Sequence, residues 1–121
     1  MSGFSDLRIL IVEDEYYLAD DLARTLTDRG AEVVGPVGTL EEAANCMARE
    51  RFDCAILDMN LRGDMAFPIA DRLKEAGIPF LIATGYNSAS LPERFSNVPR
   101  LEKPFNPSEV VAAIPAILGR T

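Results

Sequence analysis

Short apolar runs alternate along the chain with stretches whose apolar positions recur at helical spacing. Residues 7–12 form an apolar run broken only by Arg8 and stopped by Glu13, Asp14 and Glu15. Residues 54–57 form another, ended by Asp58. Runs of this length with polar ends fit strands buried on both faces. Residues 32–35, 80–83 and 100–102 supply three more, closed by Gly35-Pro36, Thr84-Gly85 and Lys103-Pro104.

Helical patterns fill the gaps between them. Leu18, Leu22 and Leu26, with Ala19 and Thr25 beside them, predict a helix that Gly30 caps. Thr39 and Glu42 have the spacing of a capping box for a second helix, with Leu40, Ala43, Ala44 and Met47 inside and Phe52 under its end. Residues 60–66, with Gly63 and Asp64, read as a loop. A third helix starts near Pro68, faces inward with Ile69, Leu73 and Ala76, and stops at Gly77. Residues 87–98 are polar and predict only a short, weak helix. Asn106, Pro107 and Glu109 open the last helix, with Val110, Val111, Ile114 and Leu118 on its inner face. Pro115 is expected to kink or shorten it, because its ring clashes with the carbonyl of Val111.

Five strands alternating with five helices predict one α/β domain over residues 1–121. A parallel sheet, right-handed crossovers and helices on both faces follow from that alternation. The composition agrees: 121 residues, 48% of them apolar, suit a single core. The net charge of −7 argues against nucleic-acid and anionic-membrane partners. No apolar run approaches the ~20 residues of a membrane helix. The first six residues lack a signal-peptide pattern, so a cytoplasmic protein is expected. Cys46 and Cys54 fit no metal-binding spacing and read as reduced thiols. The chain has no histidine, which excludes histidine catalysis and histidine ligands within it.

Candidate chemistry gathers where the strands end. Helical returns put the carboxyl ends of parallel strands on one edge, where open α/β sheets bind ligands. That edge receives Glu13 and Asp14, Asp58, Thr84 and Lys103 in turn. An acid pair alone often just opens a helix, where acids suit the dipole. A lone threonine is commonly a turn residue, and a lone lysine a solvated charge. Their coincidence at successive strand ends argues for a site. Three close carboxylates are tolerated if a cation binds or one takes up a proton. All-oxygen ligands favour Mg²⁺, which usually keeps waters and holds phosphate too. Thr84 and Lys103 could each engage a phosphoryl oxygen. Asp58, the central carboxylate, is the candidate nucleophile for an aspartyl phosphate.

These motifs resemble the receiver domain of bacterial two-component response regulators. Leu10-Ile11-Val12-Glu13-Asp14-Glu15, Leu57-Asp58-Met59-Asn60-Leu61, Ala83-Thr84-Gly85 and Glu102-Lys103-Pro104-Phe105 recur in that family's order and spacing. The resemblance implies a flavodoxin-like (βα)5 fold with strand order 2-1-3-4-5. It also implies Asp58 as the acceptor of a phosphoryl group from a sensor histidine kinase or phosphotransfer protein. Mg²⁺ would be held by Glu13, Asp14, Asp58 and the backbone carbonyl of Asn60, and the phosphoryl group by Thr84 and Lys103. A cis Lys103–Pro104 bond is implied as well. The chain would catalyse only its own phosphorylation and dephosphorylation, and signal to a downstream protein as a monomer or weak dimer.

Two departures stand out. Arg100 occupies the strand-five position where the family usually has an aromatic switch residue. Residues 80–86, through Phe80 and Ala83-Thr84-Gly85-Tyr86, partly resemble an atypical receiver subgroup with a Phe-Ala-Thr-Gly motif. Gly85 and Tyr86 are therefore the expected switch loop, and Asn60 and Tyr86 the residues that tune phosphoryl lifetime. The partner surface expected by family analogy is the last strand and its flanking helices. With the chain ending soon after its last helix, a stand-alone receiver, phosphorelay intermediate or phosphate sink is expected.

Two other classes fit less well. A haloacid-dehalogenase-type phosphatase needs an acid two residues after its nucleophile, where this chain has Asn60, and a late acid pair, where this chain has Glu13 and Asp14 first. A flavodoxin needs a phosphate-cradling loop after strand one. Here Glu13, Asp14 and Glu15 would repel phosphate.

Overall fold

Each predicted apolar run is a strand in the computed structural model of the chain, which describes residues 3–85 and 91–119. In chain order the elements are β1 (Arg8–Val12), α1 (Tyr16–Asp28), β2 (Glu32–Val37), α2 (Leu40–Arg49), β3 (Cys54–Asp58), β4 (Asn60–Leu61), β5 (Asp64–Met65), α3 (Phe67–Glu75), β6 (Phe80–Thr84), a 3₁₀ turn (Glu93–Phe95), β7 (Arg100–Glu102) and α4 (Pro107–Ile117). The main sheet runs β2-β1-β3-β6-β7. All its pairs are parallel. With the small β4–β5 hairpin set aside, this is the order 2-1-3-4-5.

The two-residue period of the strands splits the core into two layers. Leu10, Val12, Ala55, Leu57 and Ile82 pack with Ala43 of α2, Ile69 and Leu73 of α3, and Phe95. Ile9, Ile11, Cys54, Ile56 and Leu81 pack with Leu22 and Leu26 of α1 and with Val110 and Ile114 of α4. Residues 9–12 are fully buried, and burying each such side chain stabilises the fold by roughly 1.5–3 kcal/mol. The register sets Val12 beside Leu57, Asp58 beside Ala83 and Thr84 beside Glu102. The strands therefore finish level, and the polar residues after them share one edge.

Several details correct the sequence reading. Strand β2 does not close at Gly35-Pro36 but continues to Val37, through a register shift opposite Leu10 and Val12. Gly35 has φ +89°, and a Cβ there would lie 2.9 Å from the Val37 nitrogen, so the shift needs glycine. Both Gly35–Pro36 and Lys103–Pro104 are cis, the first unforeseen. Residues 60–66 contain a hairpin rather than a plain loop. Its turn residues Arg62 and Gly63 have φ 55° and 96°, the pair of positive values a type I′ hairpin turn requires.

The helices also differ in detail. Helix α3 starts at Phe67 and ends at Glu75, so Ala76 is an exposed cap residue and Ala70 takes an inner place. Only half of the capping box on α2 forms. Thr39 accepts from the Glu42 N–H at 3.1 Å, but the Glu42 carboxylate caps Gly38 instead, at 3.0 Å. Helix α4 passes through Pro115 and stops two residues later. Among the described residues there are four α-helices rather than five. A single 3₁₀ turn stands where the short helix was expected, and residues 86–90 of that segment lie outside the described residues.

Candidate functional site at the carboxyl edge of the sheet

Each site residue owes its place to the end of a strand. The Glu13 N–H donates to the Val37 carbonyl at 2.8 Å, a rung added by the continuation of β2. This turns the Glu13 side chain inward, where the residue is only 4% exposed. Asp58 closes β3 and is 3% exposed. Thr84 closes β6, and its carbonyl accepts from the Lys103 N–H at 2.7 Å just beyond β7.

Lys103 ties the acids together. Its Nζ donates to Asp58 Oδ2 at 2.9 Å, to Glu13 Oε2 at 3.1 Å and to Glu15 Oε2 at 2.5 Å. Backbone donors complete the arrangement: Asn60 N–H to Asp58 Oδ1 at 3.0 Å and Glu15 N–H to Glu13 Oε2 at 3.0 Å. Asp14 lies outside the reach of Lys103 and faces Arg62 Nε at 3.7 Å. One carboxylate oxygen from each of Glu13, Asp14 and Asp58 falls within 4.8 Å of the others.

This crowding shows in the protonation of the acids. Burial, followed by the charge of Asp58, pushes Glu13 up to about 8, against the opposing Glu15 N–H and Lys103. Burial also raises Asp58, opposed by Lys103 and the Asn60 N–H. Burial alone would lower the Lys103 ammonium, but its bonds to Glu15 and Asp58 and the nearby acids hold it above its ordinary value.

Metal-free protein should therefore lose stability as pH rises. A carboxyl raised in the fold binds its proton more tightly folded than unfolded. Its unfavourable contribution is absent below about 4.5 and complete above about 8. Asp58, raised as well, acts in the same direction. In chelator, Tm should fall by roughly 5 °C or more from about pH 5 to about pH 8, and Glu13→Gln should flatten the fall. A Tm that climbs across that window contradicts this.

The structure thus brings Glu13, Asp14, Asp58 and Lys103 into one constellation. Thr84 joins the same edge, but its hydroxyl donates to the Gly85 carbonyl at 3.2 Å rather than to an acid. The Asn60 side chain accepts from Gly63 N–H at 2.7 Å and so braces the hairpin turn. Tyr86 of the expected switch loop lies outside the described residues. Arg100, in the place of the usual aromatic, sits half-buried on β7 and donates to the Phe95 carbonyl at 3.4 Å. Glu15 and Arg62 were not among the sequence-predicted site residues. Their charge close to the motifs was the only available signal.

An open parallel sheet with three acids and a lysine at its carboxyl edge belongs to the doubly wound α/β domains that bind ligands outside the ends of their strands. The response regulator receiver domain model matches residues 9–115, and the chain belongs to that family. It is a receiver domain of two-component signalling. The transcriptional regulatory protein PdtaR of Mycobacterium tuberculosis is 30% identical over 117 residues, 93% of this chain and 57% of PdtaR. The solution structure of SdrG from Sphingomonas melonis Fr1 superposes with a TM-score of 0.81 at 38% identity, covering 98% of both chains. The response regulator PhyR from Brucella abortus gives a TM-score of 0.78 at 28% identity, over 98% of this chain and 50% of that one. The chain thus spans about half the length of PdtaR and PhyR. The haloacid-dehalogenase alternative finds no support in these similarities. Among the described residues, no helix is long and apolar enough to cross a membrane.

Proposed function

We propose that the chain is a phosphoacceptor, and that Asp58 takes a phosphoryl group from a phosphohistidine of a sensor kinase or phosphotransfer protein. The observation that carries this reading is the contact of Lys103 Nζ with both Asp58 and Glu13, beside Asp14, at the ends of adjacent strands. Asp58 Oδ2, released as Lys103 shifts, attacks phosphorus, the phosphorus–nitrogen bond breaks, and the imidazole leaves with the electron pair and takes a proton from solvent. Lys103 moves its donors onto the transferring oxygens, and the Asn60 N–H holds the other Asp58 oxygen in line. Thr84 completes the phosphoryl site by turning its hydroxyl away from Gly85.

The donor set also fits a hard divalent cation. Three carboxylate oxygens lie within 4.8 Å, and their burial and crowding raise Glu13 and Asp58, a cost that a divalent ion would relieve. Glu13, Asp14 and Asp58, with the Asn60 carbonyl, would hold Mg²⁺, which when bound offsets charge on the transferring group. Catalysis by the chain is limited to its own phosphorylation and dephosphorylation, and its output is contact with a downstream protein.

Intact mass after incubation with acetyl phosphate and Mg²⁺ tests this. Wild type should gain one phosphoryl group, and Asp58→Asn or chelated wild type should gain essentially none. Equal phosphorylation of Asp58→Asn would remove Asp58 from the role.

A further inference from the structure

The fixed part of the site is Lys103 on Glu13 and Asp58. Two solvated side chains attach to it from outside. Glu15, with a side chain 59% exposed, binds Lys103 Nζ, whose side chain is 19% exposed. Arg62, 81% exposed, lies over Asp14, which is 12% exposed. Each thus brings an opposite charge to a group that the fold holds in place. The position of Arg62 is also set by the backbone. It sits in the hairpin turn at φ 55°, Asn60 braces that turn through Gly63 N–H, and the Asn60 N–H holds Asp58.

We propose that Arg62 and Glu15 are displaceable counter-charges. Arg62 stands in for the cation at Asp14, and Glu15 for anionic oxygens at Lys103. Each leaves when its ligand arrives. This rests on the metal-dependent phosphoacceptor reading above and adds two positioning residues to it. The physical need is plain: Asp14 is the acid that Lys103 does not reach, and Lys103 has a donor left over after Glu13 and Asp58. Exposed ion pairs are worth only about 0.2–1 kcal/mol, so a divalent ion or a phosphoryl group can break them. They lower ligand affinity a few-fold without blocking the site, and they keep its charges paired between phosphorylation events.

Calorimetric titration of the whole chain tests this with MgCl₂, and then with beryllofluoride at saturating Mg²⁺. Arg62→Ala should bind Mg²⁺ about two- to fivefold more tightly than wild type. Arg29→Ala, at the far end of α1, should match wild type and so exclude a general charge effect. Glu15→Gln should bind beryllofluoride about two- to fivefold more tightly. In wild type, the Arg62 Nε–H resonance should shift on Mg²⁺ addition toward that of an arginine without a carboxylate partner. Unchanged or weaker Mg²⁺ binding by Arg62→Ala, or an Arg62 resonance indifferent to Mg²⁺, overturns the role of Arg62. Unchanged or weaker beryllofluoride binding by Glu15→Gln overturns that of Glu15. Asp14→Asn separates the two levels. If it loses Mg²⁺ binding while Arg62→Ala is unaffected, only this inference fails. If it binds Mg²⁺ as wild type does, the metal reading fails and takes the inference with it.

Discussion

Lys103→Met should destabilise metal-free protein by about 3 kcal/mol, and Mg²⁺ should restore most of the loss. Among the described residues, Lys103 is the one side chain that bonds both Glu13 and Asp58, whose side chains are 2% and 4% exposed. Without it, the two buried carboxyls keep backbone donors and each other, and ionising both in a poorly solvated place becomes still more unfavourable. The Lys103 side chain is itself 19% exposed, which holds the cost near the low end for broken buried pairs. For a domain of this size the change corresponds to a Tm drop of about 10 °C. Mg²⁺ supplies the missing positive charge and binds only the folded state, so melting at about a hundred times the Mg²⁺ Kd should recover most of that drop. Thermal melts in chelator and in Mg²⁺ measure the contrast. Equal destabilisation in both would mean that Lys103 acts through something other than the acid cluster.

Phe95→Ala should cost about 3–5 kcal/mol in either condition. Phe95 lies in a segment whose composition gives no hint of a core. Yet it is fully buried, stacks on Phe67 with ring centres 6.1 Å apart, and fills the layer beneath α3. Polar neighbours hold the segment over it. Arg94 grips Asp71 through two bonds of 2.8 and 3.1 Å and lies 4.6 Å from the Phe95 ring centre. Lys74 donates to the Arg94 carbonyl, and Arg100 to that of Phe95. Phe95 therefore anchors the residues that follow the expected switch loop. Urea denaturation reads the loss directly. A cost below about 1 kcal/mol would show that the anchor is dispensable.

The strand ends were legible because local and global signals coincide there. A buried parallel strand must be a continuous apolar run, and its polar terminator marks the edge of the sheet. Glu13, Asp14, Asp58, Thr84 and Lys103 could each be read from that rule. The continuation of β2 was hidden because Gly35-Pro36 reads as a stop, and only the neighbouring strand shows that Val37 still has a partner. The Arg62–Gly63 turn was hidden because arginine is an unusual residue at positive φ. Phe95 was hidden because one aromatic among polar residues carries no periodicity. The Lys103–Glu15 contact joins residues 88 positions apart, and no local pattern encodes it. The 3₁₀ turn reflects weak helical propensity around Pro92, so tertiary anchoring through Phe95 takes over where helix formation fails.

Arg100 marks where this chain leaves the usual receiver pattern. Its register partner is Ile82, and its guanidinium points to the backbone of the 3₁₀ turn. The arginine links β7 to the Phe95 segment.

Asp58 itself is proposed to carry the phosphoryl group and to need the metal to receive it. Borohydride reduction after acetyl phosphate treatment, followed by peptide mass mapping, tests this at the level of one residue. An acyl phosphate on Asp58 is reduced to homoserine. Homoserine should appear at position 58 only in samples given both acetyl phosphate and Mg²⁺. Homoserine arising from another aspartate, such as Asp14 or Asp53, or equal conversion of Asp58 in chelator, would contradict it.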